Sequence, residues 1–302
     1  MKLKNKILNI LKKNIFKLLN HFNLQLLHNK NTYIDLRNIN NNYRLFLQYD
    51  KPIIVNLPIS KAKWKAIPLS FTSTHPFVYS LNIATSNNTK ELDAIKLKKE
   101  LLNYYSLVQP KNMNECVGIN VKELLPSPKT THTTRWPWID KKFSDKEFSP
   151  IYINKKINLL EIEKHGVQHW GPVSDEKLNT EVIKLANLYN AIKKNGYIDD
   201  LCEKDGVIRG YILERDNLEW IWVPIQGQHR VSVASTLNLE NVAVKVLAIY
   251  RECDISEFPL VKQNIYTKDE AKMAFNIFFE KVPRFPLLDN WFTTINKDDN
   301  VK

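Results

Sequence analysis

Three stretches of the chain carry apolar residues at spacings of three and four, the period of an amphipathic helix. They cover residues 1–30, 89–107 and 175–195, and lysines separate the apolar positions of the first stretch. We predict a helix over each. Gly196 directly follows the third stretch, where a glycine commonly ends a helix. The apolar stripe of this third helix comprises Leu178, Val182, Leu185, Leu188, Tyr189 and Ile192.

Short apolar or alternating runs predict extended segments in both halves of the chain. Residues 61–88 lack a regular pattern, whereas Thr267 and Glu270 form a capping box that opens a helix reaching about Val282. Helices and strands that do not alternate strictly predict an α+β fold. We expect helices and extended segments both in the C-terminal part and in the region before it. The predicted extended segments are 43–48, 53–57, 151–153, 157–162, 206–214, 218–225 and 242–249.

Five prolines between residues 110 and 150 predict a connector, because proline lacks the backbone donor that strands and helices use. Trp136 and Trp138 lie inside it, and we expect them to pack it onto the core together with Trp291. Trp220 and Trp222 share one face of a predicted strand and are expected to pack in the core. We therefore divide the chain into a basic amphipathic helix (1–30), an N-terminal α+β region with the connector (31–149), a domain at 150–255 and a C-terminal helix and tail (256–302).

The 302 residues carry a formal net charge of +12, and seven of these positive charges are lysines within residues 1–30, which contain no acidic residue. The overall charge therefore does not establish a general nucleic-acid-binding surface. Two interpretations of the basic helix stay open. It is a docking helix with lysines on its solvent side, or residues 1–27 make a peripheral contact with an anionic membrane surface.

Hydrophobic residues make up 43% of the chain, which excludes wholesale disorder. Cys116, Cys202 and Cys253 are odd in number and far apart, which argues against a disulfide framework or a zinc finger. The sequence contains no run of about 18 uncharged apolar residues of the kind that crosses a membrane. We therefore expect a cytoplasmic protein, with a peripheral position at the membrane surface as the alternative.

Residues 227–230, Gly-Gln-His-Arg, lie between a predicted strand and a predicted helix. A glycine lets the backbone approach a ligand, and the first amides of a helix attract an anion, commonly a phosphate. His229 can donate a hydrogen bond, and Arg230 can bind two phosphate oxygens. The alternative is a helix cap with a structural histidine and a surface arginine. The pattern predicts an anion site formed by Gly227, Gln228, His229, Arg230 and Ser232.

With its flanking segments, this motif resembles the ParB/sulfiredoxin superfamily over about a third of the chain. The matching features are the helix at 175–195, the paired extended segments, the Gly-x-His-Arg turn and the apolar run at 242–246. The resemblance implies that residues 150–255 form a nucleotide-binding domain, a small mixed sheet with helices that follows a mixed α/β N-terminal region. In this domain the turn would hold the phosphates of ATP or ADP, with CTP as a further candidate.

The chain differs from known members of the superfamily in three ways, and these differences limit the activities that the resemblance implies. Sulfiredoxins place their reacting cysteine where this chain has Gln228, so reductase chemistry is not expected. Chromosome-partitioning ParB proteins have an arginine pair in the turn and a helix–turn–helix domain after it. This chain has His229 at the first position of that pair and no clear pattern of that kind downstream. The closest motif is that of the free-serine kinases, although Gln226 stands where those enzymes have an aspartate.

The kinase resemblance implies a catalytic base near the start of the helix at 175–195. Glu176 matches by position, and Glu181 is a second candidate. Asp175 is the candidate ligand for a Mg²⁺ ion that accompanies the nucleotide phosphates. The alternative for Asp175 and Glu176 is compensation of the helix dipole. The loop at 165–172 contains two histidines and a tryptophan, and it is either a structural loop or part of an acceptor pocket.

Together these features predict a phosphotransferase, a kinase that acts on a small hydroxyl-bearing molecule or a glycan precursor. His229 and Glu176 are the expected catalytic residues. Two alternatives remain. The first is a ParB-like DNA-binding or nuclease-related protein, and the second is a non-catalytic nucleotide-binding scaffold.

Overall fold

Five strands form one mixed sheet in the structure, which is a computed structural model. It describes residues 33–38, 42–49, 51–72, 74–86, 91–122, 124, 134–139, 164–198, 207–283 and 285–299. The strands are β1 (Ile34–Asp35), β2 (Ile53–Pro58), β3 (Ile208–Glu214), β4 (Trp220–Gln226) and β5 (Asn241–Arg251), in the order β1-β2-β5-β3-β4. The predictions for residues 1–30, 151–153, 157–162 and Cys202 lie outside the described residues.

The central strand β5 runs antiparallel to β2 and parallel to β3. Its buried valines, Val242, Val244 and Val246, suit a strand covered on both sides. Strands from both sides of the boundary expected near residue 149 therefore share one sheet. The main hydrophobic core also joins residues from Leu36 to Ile295. The mixed sheet and the helices around it confirm the α+β class.

Four of the described helices position the candidate site. They are α1 (Pro76–Thr85), α2 (Ala94–Leu107), α4 (Asp175–Asn195) and α5 (Gln228–Thr236); α1 and α4 each contact both α2 and α5. The bounds of α4 agree with the prediction, and Ser174 caps it by accepting a hydrogen bond from the Lys177 amide. The others are α3 (Met113–Val117), α6 (Pro259–Lys262), α7 (Lys268–Ile277) and α8 (Asp289–Asp299). None of the described helices has the length and apolar character needed to cross a bilayer.

Two segments differ from the prediction. Residues 43–48 were expected to be extended but form a 3₁₀-helix, which Asn42 begins by accepting from the Arg44 amide. Helix α1 lies inside the stretch expected to be irregular. Pro76 occupies its first turn, and His75 caps it because its Nδ1 accepts from the Phe77 amide. Both helices depend on capping contacts that the apolar pattern does not display.

The remaining helix and tryptophan predictions are largely confirmed. The helix expected at 89–107 begins at Ala94, and the Thr267–Glu270 capping box opens α7, which ends at Ile277 rather than Val282. The described part of the connector packs through its tryptophans: the indole N–H of Trp136 donates to the Lys65 carbonyl, and the Trp138 ring lies against aromatic side chains. The fully buried tryptophans are Trp64, Trp136, Trp138, Trp222 and Trp291.

The 3₁₀-helix at 43–48 is attached to the sheet by Glu214, at the end of β3. The Glu214 carboxylate is buried and accepts hydrogen bonds from the Tyr43 hydroxyl at 2.6 Å and from the Arg44 guanidinium at 2.9 Å through each oxygen. These three hydrogen bonds hold two consecutive side chains of the segment on one distant carboxylate and so fix its position against the sheet.

We expect Glu214→Ala to lower the free energy of unfolding by about 1–3 kcal/mol, because the buried Tyr43 hydroxyl loses its acceptor. Urea denaturation measures the change. Glu219→Ala is the control, since Glu219 is exposed and pairs with Arg215, and it should cost less than about 1 kcal/mol. Equal losses in the two variants would contradict the anchoring role.

Candidate functional site

The turn at 227–230 opens α5 as predicted. Gly227 has a φ of 91°, in the left-handed region, and as the N-cap residue it makes no side-chain hydrogen bond to the first turn of the helix. A Cβ at this position would lie 2.9 Å from Ile208 Cγ1 and 3.2 Å from Arg230 Nη2. The Arg230 guanidinium therefore lies beside the glycine, and the positive φ together with the close Ile208 contact favours glycine at this position.

The carboxylate of Glu181, on α4, contacts the turn. Its Oε2 lies 2.7 Å from His229 Nε2, and its Oε1 accepts from Lys177 Nζ at 2.7 Å. Lys184 Nζ lies 3.6 Å from Oε1. Glu181 has no exposed surface, whereas the His229 side chain is 20% exposed. The pair joins the middle of α4 to the first turn of α5.

Burial raises the pKa of Glu181, but the hydrogen bond and charge of His229, together with Lys177, outweigh this effect and hold its pKa well below the ordinary value. An ionised Glu181 can only accept at both oxygens, so His229 Nε2 carries the proton between them. His229 Nδ1 makes no hydrogen bond within the described residues. The arrangement resembles other carboxylate–histidine pairs in that the acid fixes the imidazole's orientation.

Aromatic rings pack behind His229. The Phe77 ring stacks on the imidazole with 5.0 Å between centroids, and His75 packs edge-on against Phe77. His75 is fully buried, and its Nε2 has no partner among the described residues. Burial, and to a lesser extent the nearby His229, lowers the pKa of His75 well below its ordinary value. His75 is therefore neutral in the folded protein at neutral pH.

Two residues from the N-terminal half reach the same turn. The indole N–H of Trp64 donates to Gln228 Oε1 at 2.8 Å, and Lys65 Nζ donates to the carbonyl of Ile225 at 3.2 Å, two residues before Gly227. The candidate site thus combines side chains from α4, α5 and the segment after β2.

The other predicted site residues lie apart from this cluster or face away from it. Asp175 and Glu176 are exposed, and the contact of the Glu176 carboxylate is with His165 Nδ1, at 3.8 Å. Ser232 is buried, and its hydroxyl donates to the Gln228 carbonyl of its own helix. The carboxylate that contacts His229 is therefore Glu181, the second candidate, rather than Glu176.

The loop at 165–172 packs against α2. Tyr104 and Tyr105 donate their hydroxyl protons to the carbonyls of His169 and Gln168, and Trp170 is buried. These contacts favour the structural interpretation of the loop. Among the described residues, no group of three or more His, Cys, Asp or Glu side chains could hold a metal ion. A metal role for Asp175 stays a prediction.

A signal for Glu181 exists in the sequence, since it lies three residues after Leu178 and four before Leu185, on the apolar stripe of α4. A charge on a buried face needs partners. The sequence offers no comparable signal for Trp64 or Lys65, because their position depends on packing beside β4.

Comparisons with known proteins do not assign the chain to a family. No family model, curated protein or solved structure matches it.

We expect the free energy of unfolding to fall as the pH drops below about 6.5, by up to about 1.4 kcal/mol per pH unit from His75 alone. Below this pH His75 becomes protonated in the unfolded chain but stays neutral in the folded protein, so acid favours unfolding. His75→Asn keeps a side chain able to cap α1 but removes this titration. Urea denaturation at pH 7, 6 and 5 should give a flatter pH profile for the variant, and an equally steep profile would contradict the assignment.

Proposed function

We propose that the chain is a nucleotide-binding phosphotransferase with a ParB/sulfiredoxin-like domain, which transfers a phosphoryl group from ATP or ADP to the hydroxyl of a small molecule or glycan precursor. One observation carries the proposal. The helix-opening turn at Gly227 has no side-chain cap, and it lies beside a histidine that Glu181 orients.

The turn suits a phosphate for electrostatic reasons. The first amides of α5 lie at the positive end of the helix dipole, where their N–H groups can donate to an anion. The Arg230 guanidinium lies beside Gly227. CTP is a further candidate ligand, since these contacts would hold phosphates and do not distinguish between bases. The nucleotide's phosphate chain is thus the part that this site can recognise.

The proposed transfer uses His229 as the proton acceptor. The acceptor's hydroxyl oxygen forms a bond to the terminal phosphorus, its proton moves to His229 Nδ1, and the bond between that phosphorus and the bridging oxygen breaks. The nucleotide leaves with one phosphate fewer and keeps the electron pair of the broken bond. Glu181 acts through His229 by accepting the Nε2 proton in a hydrogen bond and stabilising the imidazolium that forms. Glu176 is exposed and stays the alternative base.

Mg²⁺ commonly accompanies nucleotide phosphates, and Asp175 is the residue proposed to meet it. Asp175 is exposed and belongs to no cluster of metal-binding side chains within the described residues. No catalytic step is therefore assigned to a metal, and the binding measurements below are made with and without Mg²⁺.

We expect Arg230→Ala to weaken ATP and ADP binding at least tenfold, about 1.4 kcal/mol, because the guanidinium that meets the phosphate is removed. Isothermal titration calorimetry measures the affinities. Arg251→Ala is the matched control: it removes the same charge from an arginine paired with Asp254, outside the turn, and should leave binding unchanged. Absence of nucleotide binding by the wild-type protein would reject the proposal.

We expect Glu181→Gln to lower kcat by about 10²–10⁴-fold, because a neutral amide no longer stabilises a protonated His229. The assay follows transfer of labelled phosphate from ATP or ADP to a panel of amino-acid and sugar hydroxyls. Nucleotide affinity, measured by calorimetry, should change by less than about threefold, since Glu181 is buried away from the ligand. Tight binding without turnover on any acceptor would favour the scaffold alternative.

DNA binding stays a prediction, for which a salt-dependent gel shift is the test.

A further inference from the structure

Residues 61–65 run along the free edge of β4. Ala62 bridges Trp222, and the Lys63 amide donates to the Trp222 carbonyl. Two lysines make equivalent bonds on either side of this bridge: Lys61 Nζ donates to the Trp220 carbonyl and Lys65 Nζ to that of Ile225, both at 3.2 Å. Each lysine thereby satisfies a carbonyl of the edge strand.

The surroundings of the two ammonium groups differ. Lys61 lies over the Trp220 ring, 4.6 Å from its centroid, at the end of β4 remote from the turn. Lys65 lies at the end that leads into Gly227, and no acidic side chain of the described residues pairs with it. Burial lowers the pKa of Lys65 to about 8. An ammonium group with one neutral acceptor and no counter-ion has donors available for an anion.

Gln228, the first residue of α5, supplies a second donor near this end of β4. The residue is 6% exposed, and its Oε1 accepts from Trp64 Nε1. An indole N–H can only donate, so the orientation of the amide is fixed and its NH₂ group faces away from Trp64. That NH₂ group has no acceptor among the described residues. The nitrogen is not among the fully buried polar atoms that lack a partner, so it is accessible and can donate to a ligand oxygen.

We propose that Lys65 and Gln228 are specificity-determining residues that bind a second phosphate beside the one held by the 227–230 turn. This inference rests on the nucleotide binding proposed above. Two residues of extended chain span at most about 7 Å, so Ile225 and Gly227 are close enough for one diphosphate group to reach both places. The site therefore prefers a nucleoside diphosphate or triphosphate to the monophosphate.

The test compares ADP with AMP, which share base and ribose and differ by one phosphate. Calorimetry on the wild-type protein should show ADP binding at least tenfold more tightly. Lys65→Met keeps the stem but removes the charge, and it should weaken ADP binding about tenfold while AMP binding changes less than threefold. Lys61→Met is the matched control, because it removes the equivalent strand-edge bond, and it should change neither affinity.

A second variant addresses Gln228 without removing its bond to Trp64. Gln228→Glu keeps an acceptor for the indole and replaces the NH₂ donor with a carboxylate oxygen, so ADP binding should fall more than AMP binding. Thermal unfolding verifies that both variants fold. Equal wild-type affinities for ADP and AMP, equal losses for both ligands in Lys65→Met, or the same loss in Lys61→Met would overturn the inference and leave nucleotide binding intact. Failure of the wild-type protein to bind either nucleotide would reject both proposals.

Discussion

The buried carboxylate of Glu181 is the constraint on which the candidate site depends. An ionised group without solvent contact persists only where partners replace the lost water, and here His229 and Lys177 each lie 2.7 Å from one of its oxygens. Removing one member of such a pair commonly costs about 3–5 kcal/mol, since the other charge stays buried. The middle of α4 and the first turn of α5 are therefore held together, and the imidazole has one orientation relative to the turn.

The N-terminal half of the chain completes this arrangement. Strand β2 pairs with the central strand β5, which places the following segment beside β4 and the turn. From there Trp64 fixes the Gln228 amide, Phe77 covers one face of His229, and the Phe71 carbonyl accepts from Ser235 in α5. A site that appears in the sequence as four consecutive residues is thus built from segments more than 150 residues apart.

What could be predicted from the sequence was local. The bounds of α4 follow from a serine cap, a helical period and a terminal glycine, all within the helix itself, and the strand–turn–helix order at 227–230 is equally local. Residues 43–48 were misassigned because their alternation suits a strand, whereas Tyr43 and Arg44 bind a carboxylate about 170 residues away. Glu181 was within reach as a charge on an apolar stripe, but Lys65 was not, because its position depends on the edge of β4.

The charges around the 227–230 turn are the basis for choosing the kind of ligand that we propose for it. Both oxygens of Glu181 already accept hydrogen bonds, from Lys177 and His229, so this carboxylate is not available to neutralise Lys65. Around the turn there remain the uncapped first amides of α5, the Gln228 NH₂ group and the Lys65 ammonium, all of which donate. A ligand with several acceptor oxygens and a negative charge would accept hydrogen bonds from all of these groups together. A metal cation would instead be repelled by the Lys65 ammonium and could not accept hydrogen bonds. These donors are the physical basis for proposing a phosphate-bearing ligand, independently of any contact with a base or sugar.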